Sequence, residues 1–135
     1  MSIIKWSEEL CIGIDGIDEQ HRQLINLINE LHLAVEYPMG NAAILPLIHK
    51  LHAYAGTHFE AEEQILSRHA FPGQADHAGE HEEFIAKLDD LILRYQSSSD
   101  LLTVHIRDFL LSWFFNHIKN SDMAYKLFLE EKKRL

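Results

Sequence analysis

Seven side chains combine residue types and spacings suited to metal chemistry: His21, His58, Glu62, His77, His81, His117 and Asp122. His77 and His81 are four positions apart, so on a helix they stand about one turn apart on one face and can converge on a single ion. His58 and Glu62 repeat that spacing with one nitrogen and one oxygen donor. His117 and Asp122 are five positions apart, which in an ideal helix points them about 140° away from each other. Asp122 reaches the same site only if its helix ends or distorts near Asn120 and Ser121, two residues that tolerate such a break.

All but Asp122 fall on apolar helical stripes, where polar side chains are scarce. Burying one imidazole without a partner is costly; burying five calls for a shared partner, and a metal satisfies them all. Seven donors exceed the four that a tetrahedral zinc takes. Two octahedral metals offer about twelve positions. Five histidines, two bridging carboxylates and a bridging oxide or hydroxide fill all but one, which is left for a small exogenous ligand.

The elements that must position these donors are legible in the spacing of apolar residues. An arm extends to about Gly16, and Asp18 is the expected N-cap of a first helix carrying His21, Leu24, Ile28, Leu31 and Val35 on one face. Tyr37-Pro38-Met39-Gly40-Asn41 breaks it. The second stripe is Ile44, Ile48, Leu51, Ala55, His58, Glu62 and Ile65, ended by Phe71-Pro72-Gly73. The third is His77, His81, Phe84, Leu88, Leu91 and Tyr95, closed by Ser97-Ser98-Ser99-Asp100; the fourth is Leu102, Ile106, Leu110, Trp113 and His117. A short last helix runs from about Met123 to Glu131, with Asp122 as its expected N-cap. Short connections favour antiparallel neighbours. The expected fold is therefore all-α, an up-down-up-down antiparallel four-helix bundle with an extended N-terminal arm and a short C-terminal helix.

With those residues in place, the sequence resembles the hemerythrin family, in particular its single-domain bacterial members. The resemblance rests on Trp6, Gly13-Ile-Asp-Gly-Ile-Asp-Glu-Gln-His21, His58-Phe59-x-x-Glu62-Glu63, His77-x-x-x-His81 and His117-Ile118-x-x-x-Asp122-x-x-Tyr125, and it makes residues 1–135 one domain. It implies two irons with a bridging oxide or hydroxide: His77, His81 and His117 on one iron, His21 and His58 on the other, Glu62 and Asp122 bridging. It implies reversible O₂ binding at the two-histidine iron, for carriage, storage or delivery, and no catalytic residue. It also implies an apolar O₂ pocket at Leu24, Phe59, Trp113, Phe114 and Ile118, where Phe114 replaces an expected smaller aliphatic residue. A dry pocket disfavours loss of charged oxygen species and slows protons.

Other readings are weaker. His77-Ala-Gly-Glu80-His81 fits the inverted zinc-protease pattern but leaves the other donors unexplained. Ferritin-like di-iron oxidases use Glu-x-x-His motifs, and none occurs here. The alternatives within the iron reading are an enzyme acting on O₂, peroxide or nitric oxide, or an O₂ sensor. His49, His52, His69 and His105 read as surface residues, and His32 as a satisfied core or boundary histidine. The formal net charge of −9 argues against nucleic acid or an anionic membrane as partner. Cys11 is the only cysteine and reads as a small buried apolar side chain. The N-terminus lacks signal-peptide organisation and no segment is long and apolar enough to span a membrane, so a cytoplasmic protein is expected, with a monomer favoured.

Overall fold

A computed structural model describes residues 5–37, 41–97 and 102–134. A short 3₁₀ turn at Glu8–Leu10 precedes α1 (Asp15–Glu36), α2 (Asn41–Arg68), α3 (Gln74–Ser97) and α4 (Leu102–His117). A π-helical segment, Ile118–Asp122, leads directly into α5 (Met123–Arg134). There is no strand among the described residues. The expected Pro38-Met39-Gly40 and Ser98-Ser99-Asp100 breaks lie outside the described residues.

Around the bundle, α1 packs on α2 and α4, and α3 packs on α2 and α4. The driving surface is the run of buried Leu, Ile and Phe that the apolar stripes predict, including Leu24, Ile28, Leu31, Ile44, Ile48, Leu51, Phe84, Leu88, Ile106 and Leu110. Each contributes about 1.5–3 kcal/mol relative to exposure. One register differs: α2 buries Leu66, whereas Ile65 stays partly exposed.

Two expected caps are corrected. α1 starts at Asp15, so Asp18 lies inside its first turns and is buried. Its carboxylate accepts from the backbone N–H groups of Ile12 (2.7 Å) and Gly13 (3.1 Å) and from the Cys11 thiol (3.1 Å). It therefore fastens the arm to the helix rather than beginning the helix. Gly13 bends that arm at φ +90, a conformation that only glycine adopts without strain. Asp122 caps nothing: His117 and Met123, at either end of the π segment, both have right-handed helical dihedrals, so α4 and α5 are continuous through it.

Antiparallel order brings the start of α1, the end of α2, the start of α3 and the end of α4 to one end of the bundle. Those four positions carry the polar donors, while the opposite half is filled mainly by aliphatic side chains, with His32 buried among them. The arm and α5 cover the polar end, with Lys126 Nζ donating to the Cys11 carbonyl (2.8 Å) and Phe71 packed edge-on to Tyr125 and Phe128.

Candidate metal centre

All seven donors converge and all are buried. His77, His81, His117 and Glu62 form one group whose ligand atoms lie within 4.8 Å of one another; His21, His58 and Glu62 form a second. Glu62 spans the two. Its Oε1 faces His77 Nε2 (2.7 Å) and His81 Nε2 (3.1 Å), and its Oε2 faces His58 Nε2 (3.5 Å) and His21 Nε2 (3.7 Å). Asp122 divides in the same way. Its Oδ1 lies 3.1 Å from His77 Nε2 and 3.2 Å from His117 Nε2, while Oδ2 lies 3.2 Å from His21 Nε2. The π segment makes this possible. Its widened turn holds one extra residue, so the fifth residue after His117 falls where a fourth would in an α-helix.

Whether these residues fit a metal is decided by atoms that protein alone leaves unsatisfied. Both Asp122 oxygens and both His21 nitrogens are buried without a hydrogen-bond partner among the described residues. The 3.2 Å approach of Asp122 to His21 is close but not aligned as a hydrogen bond. His81 Nε2 and His117 Nε2 approach to 3.1 Å, a contact of two lone pairs unless one carries a proton. Buried lone pairs converging from five imidazoles and two carboxylates are the donor set of a cation site. The cluster fits a metal.

Without metal, protons take its place. Burial disfavours the imidazolium of His21, but Asp122 and Glu62 outweigh it and push the group up to about 9. The same carboxylates against the same burial push His77 up to about 10. His58 is pushed down to about 4, chiefly by burial. Glu62 and Asp122 are held below the usual carboxylate range, because their histidine neighbours overcome the burial that opposes ionisation. Both stay anionic, as metal ligation requires.

Behind the donors lies a second set that the sequence reading did not assign. His58 Nδ1 donates to Gln20 Oε1 (2.7 Å), His81 Nδ1 to Glu63 Oε2 (2.8 Å), and His117 Nδ1 to Glu80 Oε1 (2.9 Å). These bonds fix the tautomer that turns Nε2 inward. Ser121 donates to Glu80 (2.6 Å). The buried Tyr125 hydroxyl donates to Glu62 Oε2 (2.7 Å), and burial and the nearby carboxylates raise its pKa far above the usual range, so it keeps its proton. The available signal was position: Gln20, Glu63 and Glu80 each sit beside a donor in sequence.

Of the apolar pocket residues, Leu24, Phe59, Phe114 and Ile118 are buried and Trp113 is partly buried. Phe59 stacks on His81 (3.9 Å between ring centres, 6° between planes) and Trp113 on His117 (4.3 Å, 13°). These two rings thus lie flat against the three-histidine group. Phe114 fills the space among Phe59, Phe84 and Trp113, with centroid separations of 5.5–6.4 Å. Among the remaining histidines, His49 and His105 are exposed, His69 is half-buried, and His52 pairs with Asp89 at 2.7 Å. His32 corrects the expectation of a satisfied residue: it is buried, and neither ring nitrogen has a hydrogen-bond partner among the described residues.

Among the described residues no helix is long and apolar enough to cross a membrane. The profile of the family described as "Hemerythrin HHE cation binding domain" matches residues 12–128. A bacteriohemerythrin of Stenotrophomonas maltophilia (strain R551-3) is 38% identical over 125 residues, covering 93% of this chain and 80% of that one. A hemerythrin-like protein of Naegleria gruberi is 30% identical over 125 residues, covering 93% and 92%. A crystal structure of wild-type hemerythrin superposes with a TM-score of 0.84 at 24% identity, covering 93% of this chain and 96% of that one, and so shares the fold. A buried histidine and carboxylate cluster at one end of a helical bundle, matched over nearly its whole length by these sequences, makes this chain a member of the hemerythrin family.

Proposed function

We propose that the chain binds dioxygen reversibly at a non-haem di-iron centre, as a carrier, store or delivery protein rather than an enzyme. In this reading residues 1–135 form one hemerythrin-like domain. His77, His81 and His117 hold one iron, His21 and His58 hold the other, and Glu62 and Asp122 bridge them with an oxide or hydroxide. One observation carries the assignment. Each of the two buried carboxylates turns one oxygen to each histidine group, which is the arrangement a bridging ligand needs. A single metal would leave one group of histidines without a partner.

The iron pair, when bound, supplies the redox chemistry that holds O₂. The chain orients the imidazoles through Gln20, Glu63 and Glu80, and it keeps water out with Leu24, Phe59, Trp113, Phe114 and Ile118. None of those five apolar residues is an acid or a base. The buried Tyr125 hydroxyl is committed to Glu62. A dry site without a free proton donor favours release of intact O₂ over cleavage.

The test is to reduce the iron-loaded protein without air, then admit and remove O₂ while recording the visible spectrum. Colour that appears and fades with O₂ pressure over repeated cycles supports the carrier. Steady consumption of reductant at each exposure instead supports a di-iron oxidase.

A further inference from the structure

The ring nitrogens facing away from the cluster are held unequally in its two halves. In the three-histidine half, His81 and His117 donate to carboxylates, Glu63 at 2.8 Å and Glu80 at 2.9 Å. In the two-histidine half, His58 donates to the neutral amide oxygen of Gln20 at 2.7 Å, and His21 Nδ1 is buried with no partner among the described residues.

The inequality follows from how the bundle is assembled. The residue beside a donor on one helix serves the histidine on the next. Gln20, beside His21 on α1, serves His58 on α2; Glu63, beside Glu62 on α2, serves His81 on α3; Glu80, beside His81 on α3, serves His117 on α4. The return from α4 to α1 is broken: of the residues beside His117, Asn116 is exposed and donates to Ser112, and Ile118 is a buried aliphatic side chain. Two carboxylates therefore stand behind one group, and a single amide behind the other.

An imidazole that donates to a carboxylate gains anionic character and becomes a more basic ligand; donation to an amide does this far less. A more basic ligand favours ferric over ferrous iron. We propose that Gln20, Glu63 and Glu80 are positioning residues that set the order of oxidation within the iron pair. Glu63 and Glu80 hold the three-histidine iron toward the ferric state. Gln20 leaves the two-histidine iron with the higher reduction potential, so that the iron assigned to O₂ is the first to be reduced and the last to be oxidised. The proposal rests on the di-iron reading above.

Each iron is a one-electron couple, so electrochemical titration of the fully oxidised protein resolves two steps. The Glu63→Gln/Glu80→Gln double variant keeps both N–H acceptors, removes both charges, and raises the lower potential. Gln20→Glu adds a charge behind His58 and lowers the upper potential. The separation narrows in both variants, from opposite sides. Each shift is at least a tenfold change in the ferric-to-ferrous ratio, about 59 mV for a one-electron couple. Equal movement of both steps, a wider separation, or no movement overturns the proposal. Iron is counted alongside: a parent protein with fewer than two irons per chain fails the di-iron reading and the proposal together. Two irons with unmoved potentials fail the proposal alone. Cobalt(II) titration of the metal-free protein gives a measure free of redox chemistry. The double variant weakens the tighter site roughly 10–100-fold and leaves the weaker one unchanged; the opposite pattern also overturns it.

Discussion

Asp122 and Glu80 belong to one hydrogen-bonded and ionic network, yet their loss leaves different things behind. Asp122 is fully buried, with one oxygen facing each histidine group, so truncation removes a donor from both at once. The Glu80 side chain is 43% exposed and touches His117 only through Nδ1, on the far side of the ring from the cluster. Water can replace it there. Asp122→Ala should therefore leave the protein with fewer than two irons after desalting, whereas Glu80→Ala should retain both and lose roughly 10–100-fold in metal affinity. Iron analysis and the visible spectrum of the two variants decide it. An intact spectrum in Asp122→Ala alongside a lost one in Glu80→Ala would reverse the assignment and revive the protease-like reading of His77-Ala-Gly-Glu80-His81. The seven donors were legible because charged and imidazole side chains on apolar stripes violate the ordinary pattern of burial. Gln20, Glu63 and Glu80 were not, since a polar residue one position from a stripe looks the same as a solvated face; Glu63 keeps 41% side-chain exposure.

Among the elements, the helices were read closely from spacings of three and four, and what escaped was the purpose of individual carboxylates at their ends. Asp18 and Asp122 have the composition of N-caps, but their partners are the arm and the cluster, contacts that no local pattern encodes. The five-residue interval from His117 to Asp122 did announce a distortion, and the structure supplies it as a π turn with no end to the helix. This gives an asymmetric prediction. Deleting Asn120, an exposed residue within the turn, converts Ile118–Asp122 to ordinary α winding and leaves the aspartate four residues after His117, still on the inward face. Both irons should remain, and the melting temperature should not fall. Inserting an alanine after Asn120 rotates the aspartate and α5 by about 100° and should abolish loading of both irons. Iron counts with a far-UV melting curve check the pair. Loss of iron on deletion would mean that the wide turn itself, rather than the placement of Asp122, is what the site needs.

For the whole molecule, the antiparallel topology gathers seven ionisable groups at one end of the bundle, so loading with metal is coupled to both protons and folding. In the metal-free protein the His21 pKa is raised to about 9 and the His77 pKa to about 10, so both are protonated at pH 7.5. His58, lowered to about 4, is already neutral there, and Glu62 and Asp122 are already anionic. Binding must therefore expel about two protons from the cluster near neutrality, one from each of the two raised histidines, and a further one wherever a bridging hydroxide forms from water. The signs for stability follow. The raised pair stabilises the metal-free fold fully below the unfolded histidine value of about 6.5, and that support is lost as pH climbs through 9 and 10. His58 acts oppositely: its unfolded form binds a proton that the folded form refuses, so stability falls as pH drops from about 6.5 toward 4. The metal-free protein should accordingly be most stable near pH 6.5. The metal-loaded protein has no such protons to lose, so the gap between the two melting temperatures should widen from pH 6.5 to 9. Metal affinity should rise on the order of tenfold per pH unit for each proton displaced. Calorimetric titration with ferrous ion under anaerobic conditions, repeated in buffers of different ionisation enthalpy, counts the protons directly. A count near zero at pH 7.5, with a melting gap that does not change with pH, would show that the metal-free cluster is held neutral by some other arrangement and that metal is not replacing protons in it.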